Sequence, residues 1–274
     1  MHQLPNKAVT HNGRFHADDV FSAALLEILN PEIHISRVSA VPENFDGIVF
    51  DLANGPFDHH DSNKKCRENG IPYASFGLLW NKYGHTLVSE SAAKTFDESF
   101  IQPLDTQDNY GGNNMLCRAI TQANPKWDSS EDPDECFFKA VDIAKFILHN
   151  EIESMKSTER ATKIVRAALD KQTNGIVTLS IGVPWKTILI PEPVYFVIYP
   201  SIRGGFNAQA IPKSIDSNEC KLYFPEAWRG QSDALTKITG ISDMTFCHSS
   251  GYLVATKSIE AAVKACEYAI KNAP

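Results

Sequence analysis

Residues 8–31 read AVTHNGRFHADDVFSAALLEILNP. Ala8-Val9-Thr10 reads as the end of a first strand, and the polar run His11-Asn12-Gly13-Arg14-Phe15-His16 as the loop that follows it. From Ala17 to Leu29 the apolar residues recur at helical spacing: Val20, Ala24 and Ile28 share one face, and Phe21, Leu25 and Leu29 another. Asp18 and Asp19 fall in the first turn, where the helix dipole favours acid, and Asn30-Pro31 stops the helix. Further on, Ile33, Ile35 and Arg37 alternate with His34, Ser36 and Val38, which predicts a strand. Gly47-Ile48-Val49-Phe50-Asp51-Leu52 reads as a buried strand ended by Asn54-Gly55-Pro56. Strand, helix, strand, strand at this spacing predicts an α/β unit built on a parallel sheet.

Downstream, Ser75–Tyr83, Phe96–Leu104 and the long run Glu135–Lys171 read as helices, the last with an expected break near Ser154–Ser157. Asn174-Gly175 marks a change of texture. Ile176–Ile181, Thr187–Ile190, Val194–Tyr199 and Phe206–Ile211 then read as β structure, and Ile259–Lys271 as a final helix. The boundary is placed at 172, giving domains 1–172 and 173–274. Charge supports the split: residues 173–274 carry 9 Lys+Arg against 8 Asp+Glu, whereas the first part is strongly acidic.

The chain has 274 residues and a formal net charge of −7, which argues against a protein that coats nucleic acid through a broad basic face. It does not exclude a phosphate substrate gripped through bound cations, whose charge is absent from that count. The apolar stretch 176–199 contains Pro184, Lys186, Pro191, Glu192 and Pro193, so no membrane span is expected. Met1–Lys7 lacks the apolar centre of a signal peptide and the Arg-rich face of a transit peptide. The six cysteines form no CxxC pair and read as reduced thiols. A cytoplasmic location is the default expectation; organellar or nuclear placement and assembly as a homodimer are left open.

The chemistry concentrates early. His11, His16, His59 and His60 lie beside Asp18, Asp51 and Asp58, all where strand ends and the loops beyond them are expected. In an open α/β sheet that edge is where ligands bind. Mixed imidazole and carboxylate donors suit Mn²⁺, Zn²⁺, Fe²⁺ or Co²⁺ better than Ca²⁺. Six or seven such groups exceed the needs of one tetrahedral ion, so two divalent metal ions are expected, with Mn²⁺ leading and Mg²⁺ also a candidate. A lone histidine is more often structural, and His2, His34, His85 and His149 are read that way.

THNGRFHADD, VFDLANG and FDHHD resemble the Myg-type exonuclease family, a branch of the DHH phosphoesterase superfamily. The resemblance continues through LDTQDNYGG, ANPKW, VPWK, Tyr195–Tyr199, LYFPEAWRG and FCHSSGYLVATKS, nearly the whole chain. It implies a parallel-sheet DHH-type catalytic domain, a smaller α+β C-terminal substrate domain, and a cleft between them. By the match, His11 and His16 would bind one metal and Asp18 the other, Asp51 would bridge both, and His59 would bind the second. His16 stands where the superfamily usually has an aspartate. The fourth motif resembles Asp108, with Asp105 as the competing ligand three residues earlier. Asp58 would orient its neighbours.

Phosphodiester hydrolysis needs a nucleophilic hydroxide near neutral pH and a proton for the leaving oxygen. His60 is the expected general acid, since His59 is spent on metal; a structural histidine or an extra ligand is the competing reading. Arg203 before Gly204-Gly205 and Arg229 before Gly230 are expected to grip phosphate through the guanidinium fork. His248, Ser249 and Gly251 resemble the superfamily's substrate loop. Trp228 and Phe206 are read as base-stacking or core residues, and Asp132, Asp134 and Glu135 as a solvated helix start. The activity the resemblance implies is 3′-end exonucleolysis of RNA or short oligonucleotides. Hydrolysis of a small phosphate compound, or an idle metal- or nucleotide-binding regulator, are the alternatives. The intact ligand set speaks against the last.

Overall fold

The computed structural model describes residues 4–53, 55–60, 64–232 and 234–273. Asn54 of the expected strand stop, Asp61 of the FDHHD motif and the first three residues lie outside them. The chain divides into two compact units, residues 1–155 and 156–274.

The first unit opens with β1 (Lys7–His11), α1 (Ala17–Leu29), β2 (His34–Val38) and β3 (Ile48–Val49). The strands form a parallel sheet in the order β2-β1-β3. Parallel neighbours need a crossover, which α1 supplies between β1 and β2. Ala8, Val9 and Thr10 are all buried, as befits a central strand covered on both faces. Helix α1 is buried from Ala17 to Leu26, so the acids of its first turn lie inside the protein. Then follow α2 (Ser75–Tyr83), α3 (Glu90–Phe96), α4 (Gln102–Tyr110), α5 (Met115–Thr121) and α6 (Pro133–Leu169), whose residues from Lys156 on belong to the second unit. A π-turn at Asp97–Ile101 joins α3 to α4, so the helical run expected at Phe96–Leu104 both starts earlier and ends later. The core gathers α1 with Phe76, Leu79, Ile101, Phe137 and Leu148.

Two expectations about α6 are corrected. It runs unbroken through Ser154–Ser157, because neither serine of that stretch nor anything between them stops a helix as Pro or Gly would. The acidic start is also not merely solvated. Asp134 pairs with the buried Arg37, Nη1 to Oδ1 at 2.7 Å.

The second unit carries β4 (Ile176–Thr178), α7 (Lys186–Leu189), β5 (Phe196–Pro200), β6 (Phe206–Ala210), α8 (Leu235–Thr239), β7 (Met244–Cys247), β8 (Leu253–Thr256) and α9 (Ile259–Lys271). Its sheet is mixed, in the order β4-β5-β6-β8-β7, with only β4 and β5 parallel. The strand expected at Thr187–Ile190 is a helical turn. Trp185 O accepts from both Ile188 N and Leu189 N at 3.1 and 2.9 Å, and Pro191 and Pro193 follow, which suits a stop better than a ladder. Such short apolar runs carry no period that separates helix from strand. Trp228 is 2% exposed and stacks on Phe224 and Tyr268, so it belongs to the core and is not available to a base. Among the described residues no helix is long and apolar enough to cross a membrane. All six cysteines are free thiols.

Candidate metal centre

The register of the parallel sheet builds the centre. Val9 pairs with Val49, and two residues further on stand His11 and Asp51. With a side-chain period of two, both emerge at the same edge of the sheet. His11 Nε2 lies 3.1 Å from Asp51 Oδ2. Asp51 itself has a left-handed backbone, φ +50°, which ends β3 and hands its N–H to Phe57 O at 3.0 Å. Aspartate is among the few residues that tolerate this conformation.

The start of α1 supplies the next ligands. Asp19 Oδ1 accepts from His16 N at 3.0 Å, closing the helix end, while its Oδ2 lies 3.2 Å from His11 Nε2. Asp18, one residue earlier, is 1% exposed. The turn 55–60 brings in the histidine pair. Asp58 Oδ1 accepts from His59 N, His60 N and His60 Nδ1, at 2.8, 3.2 and 2.7 Å. That carboxylate fixes the His60 imidazole and the backbone of both histidines, with the rings 4.3 Å apart. His59 Nε2 then stands among three carboxylates: Asp51 Oδ1 at 3.2 Å, Asp108 Oδ2 at 3.3 Å and Asp18 Oδ2 at 3.4 Å.

Among the described residues, three sets of side chains have ligand atoms close enough to share an ion: Asp51, His59 and His60; His11, Asp19 and Asp51; and His16, Asp18 and Asp108. Asp51 belongs to two of them. His16 was expected beside His11, yet its ligand atom groups with Asp18 and Asp108, because as the residue capping α1 it sits next to the helix rather than at the strand end. Asp105 does not join the centre. Its Oδ2 accepts from Arg67 Nη2 at 2.7 Å, and Arg67 also forks onto Asp97 at 2.7 and 2.6 Å. This pin fixes α4 one turn before Asp108. Gly77 lets it close, since a Cβ there would collide with the Asp105 carboxylate.

The donor set fits a divalent cation. Both oxygens of Asp18, Oδ2 of Asp19, Oδ1 of Asp51 and both ring nitrogens of His59 are buried with no partner in hydrogen-bond geometry. Orphaned groups of this kind are costly inside a protein, and a shared cation satisfies the carboxylate oxygens and His59 Nε2 together. The electrostatics agree. The carboxylates of Asp19 and Asp51, 3.2 and 3.1 Å from its Nε2, push His11 up to about 11. Burial opposes charge on His59, but Asp18 and Asp51 override it and push that group to about 11 as well. Burial, aided by neighbouring carboxylates, lifts Asp19 to about 7 and Asp108 to about 9. Asp51 goes the other way: burial opposes its charge, yet the imidazoles of His11 and His59 beside it hold it well below the carboxylate range.

These shifts tie stability to pH. His11 and His59 rise from 6.5, so their contribution is complete below about 6.5 and lost as pH climbs through about 11. Asp19 and Asp108 rise from 3.8, so theirs is lost between about 3.8 and 9. Asp51 loses its contribution only in strong acid. The metal-free protein is therefore expected to lose thermal stability from about pH 6 to about pH 9. Added Mn²⁺ should raise Tm more at the higher pH, because the ion takes deprotonated ligands. Thermal denaturation with and without Mn²⁺ at both values checks this; a gain independent of pH would contradict the ligand set.

Two residues that sequence reasoning missed hold the histidine loop. Asn124 accepts from Phe15 N at 3.0 Å and donates to Phe15 O at 2.8 Å, beside His16. Arg37 donates to Gly13 O at 2.6 Å and stacks over Phe137. Asp19 was also missed as a ligand, since the helix dipole already accounted for an acid there.

In the second unit the expected substrate residues separate. Arg203 and Gly204 occupy the β5–β6 turn, where Gly204 N donates to Ser201 O at 3.0 Å. Arg229 meets the other group. A Cβ on Gly251 would come 2.5 Å from Arg229 Nε, and Gly251 has φ +72°, so glycine is required there. His248 Nδ1 and Ser250 Oγ are 2.8 Å apart in the same turn as Ser249. Arg229 and Ser250 share a cavity with Lys186, Tyr223 and Tyr252.

A model of the MYG1 exonuclease family, described as an uncharacterised protein family (UPF0160), matches residues 7–270. The chain is 27% identical to a human protein named MYG1 exonuclease, over 94% of this chain and 84% of that one. It is also 27% identical to the MYG1 protein of Dictyostelium discoideum, over 93% of each, and to a MYG1 protein of Caenorhabditis elegans, over 96% of this chain and 94% of the other. No solved structure matches the chain.

Proposed function

The chain belongs to the MYG1 exonuclease family, and from that membership and its buried Asp–His centre we propose that it is a divalent-metal-dependent phosphodiesterase that shortens RNA or short oligonucleotides from the 3′ end. We infer a DHH-type catalytic domain over residues 1–172 and a smaller substrate-binding domain over 173–274. The observation that carries the reading is Asp51, a buried carboxylate shared by two sets of ligands that are otherwise short of hydrogen-bond partners. His11, Asp19 and Asp51 would hold one ion. Asp18, Asp51, His59 and Asp108, with His16 beside them, would hold a second, and Mn²⁺ suits these donors. When bound, the ions supply a hydroxide nucleophile near neutral pH and neutralise charge building on the phosphate.

The chain's own residues do the rest. Asp58 accepts from His60 Nδ1 and stabilises the imidazolium form, in which Nε2 carries the second proton and passes it to the leaving oxygen. His60 is exposed enough to reach substrate, its side chain 61% accessible. Asp58 acts by holding that ring. Cys117, on the wall of the adjoining cavity, is no rival nucleophile, because burial and the nearby Asp108 and Asp18 push its thiol to about 12. Arg229 beside Gly251, the His248–Ser249 turn and Arg203 at Gly204 supply phosphate-binding groups from the second unit.

Incubating 5′-labelled single-stranded RNA with Mn²⁺, with Mg²⁺ and with chelator tests the reading. The expected result is a metal-dependent ladder shortening from the 3′ end. Intact RNA from metal-loaded protein would overturn it, and cleavage of pyrophosphate or a cyclic dinucleotide instead would replace it with the small-phosphate alternative.

A further inference from the structure

The centre opens into a cavity whose far walls take no part in the chemistry above. The cavity measures about 700 Å³, and its lining runs from His16, His59 and Asp108 across to Lys64 and Arg118. That volume suits a ligand of nucleotide size and is far more than an isolated phosphate would fill. Two cations face it. Arg118, on α5, is exposed, and its guanidinium has no ion pair or hydrogen bond among the described residues. Lys64 is anchored: Nζ donates to Asn109 Oδ1 at 2.7 Å, and Asn109 donates in turn to Tyr73 O and Asp105 O at 3.2 and 2.9 Å. An ammonium held by one bond still has two hydrogens to give.

The rest of the wall is shaped for the same occupant. Gln107 Oε1 accepts from Asn114 N at 3.0 Å, drawing the loop 111–114 onto α4. Gly112 has φ +147°, a backbone conformation that favours glycine, and it lies against the end of the Gln107 side chain. Met115 leaves 75% of its surface exposed and lines the cavity, an apolar face beside the two cations. A base offers an apolar face and a polar edge, and a phosphate offers oxygens that match a guanidinium. In a strongly acidic unit, two cations turned into one cavity need an anion, and the phosphate held by the metal ligands is already accounted for.

We propose that Arg118 and Lys64 bind the phosphate next to the scissile one, so that the cavity seats the adjoining nucleotide and the enzyme selects a polynucleotide over an isolated phosphodiester. This rests on the phosphodiesterase reading above and names the substrate class of that same centre. Arg118 is thereby a specificity-determining residue, and Lys64 its partner.

The test compares kcat/KM for a pentaribonucleotide with kcat/KM for bis(p-nitrophenyl) phosphate, which has no second phosphate, in wild type, Arg118→Gln and Arg118→Lys. It adds fluorescence anisotropy of the labelled pentaribonucleotide on metal-stripped protein. For Arg118→Gln the ratio of the two kcat/KM values should fall about tenfold or more, the loss lying in KM, and binding should weaken in parallel. Arg118→Lys should recover part of it, keeping the charge without the fork. An unchanged ratio, whether both activities fall together or neither moves, would overturn the proposal. If wild type cleaves neither substrate, the hydrolase reading fails on its own account. The anisotropy arm then decides this one, since binding that Arg118→Gln leaves unaltered overturns it and binding that weakens about tenfold upholds the nucleotide seat.

Discussion

Asp51→Asn is expected to lower kcat/KM on RNA by at least about 10³-fold at saturating Mn²⁺. Losing a group that merely orients a metal ligand costs 10–100-fold, and a ligand shared by two sets must cost more. Asp51 Oδ2 lies 3.1 Å from His11 Nε2 and Oδ1 3.2 Å from His59 Nε2. The amide keeps the shape but removes the charge, and its nitrogen would turn a donor towards one imidazole. Both ion sites therefore weaken at once. The variant should fold, since the side chain occupies the same volume, and circular dichroism would verify that. Steady-state kinetics with bound metal measured in parallel checks the prediction. An Asp51→Asn enzyme of wild-type activity would contradict the ligand assignment.

The second large effect concerns stability. Arg67→Met is expected to cost about 3–5 kcal/mol, because it strands the carboxylates of Asp97 and Asp105 in a mostly buried setting. Burial already lifts Asp105 to about 7 with the guanidinium present. The pin also fixes α4, which carries Asp108 one turn further on, so metal affinity should fall together with Tm. Adding Asp105→Asn to Arg67→Met should recover part of the loss, since it removes the stranded charge. Thermal denaturation of the metal-free proteins measures both; an Arg67→Met protein as stable as wild type would show that the pin contributes nothing net.

Sequence and structure agree where local signals are strong. Helix α1 reads from its apolar face, its acidic first turn and Asn30-Pro31, and α2 and α9 follow their expected spans. The parallel sheet follows from strand, helix, strand spacing. The misreadings have local causes too. Thr187–Ile190 is as apolar as a strand, but the flanking tryptophan and prolines make it a turn of helix. Strands β7 and β8 are four residues each, too short for alternation to stand out.

At the centre, His11, His16, Asp18, Asp51 and His59 could be picked out because histidines and aspartates near strand ends are conspicuous, whereas Asp108, on α4, was pointed to only by its resemblance to the family's fourth motif. Asp19 could not, because a simpler explanation covered it. The residues that hold the loops were out of reach for another reason. Arg37 meets Asp134 across 97 positions, Asn124 meets Phe15 across 109, and Arg67 meets Asp105 across 38. Nothing in the spacing of the chain announces such pairs. Only the folded sheet and the helices around it bring them together.

The shared Asp–His centre is proposed to bind divalent ions on which RNA cleavage depends. The most direct test titrates Mn²⁺ into metal-stripped protein and records RNA cleavage against bound Mn²⁺ in the same samples. The predicted result is no cleavage at zero occupancy and a rate that climbs as occupancy approaches two ions per chain. Full cleavage in excess chelator, or a folded protein that binds no Mn²⁺ at all, would contradict it.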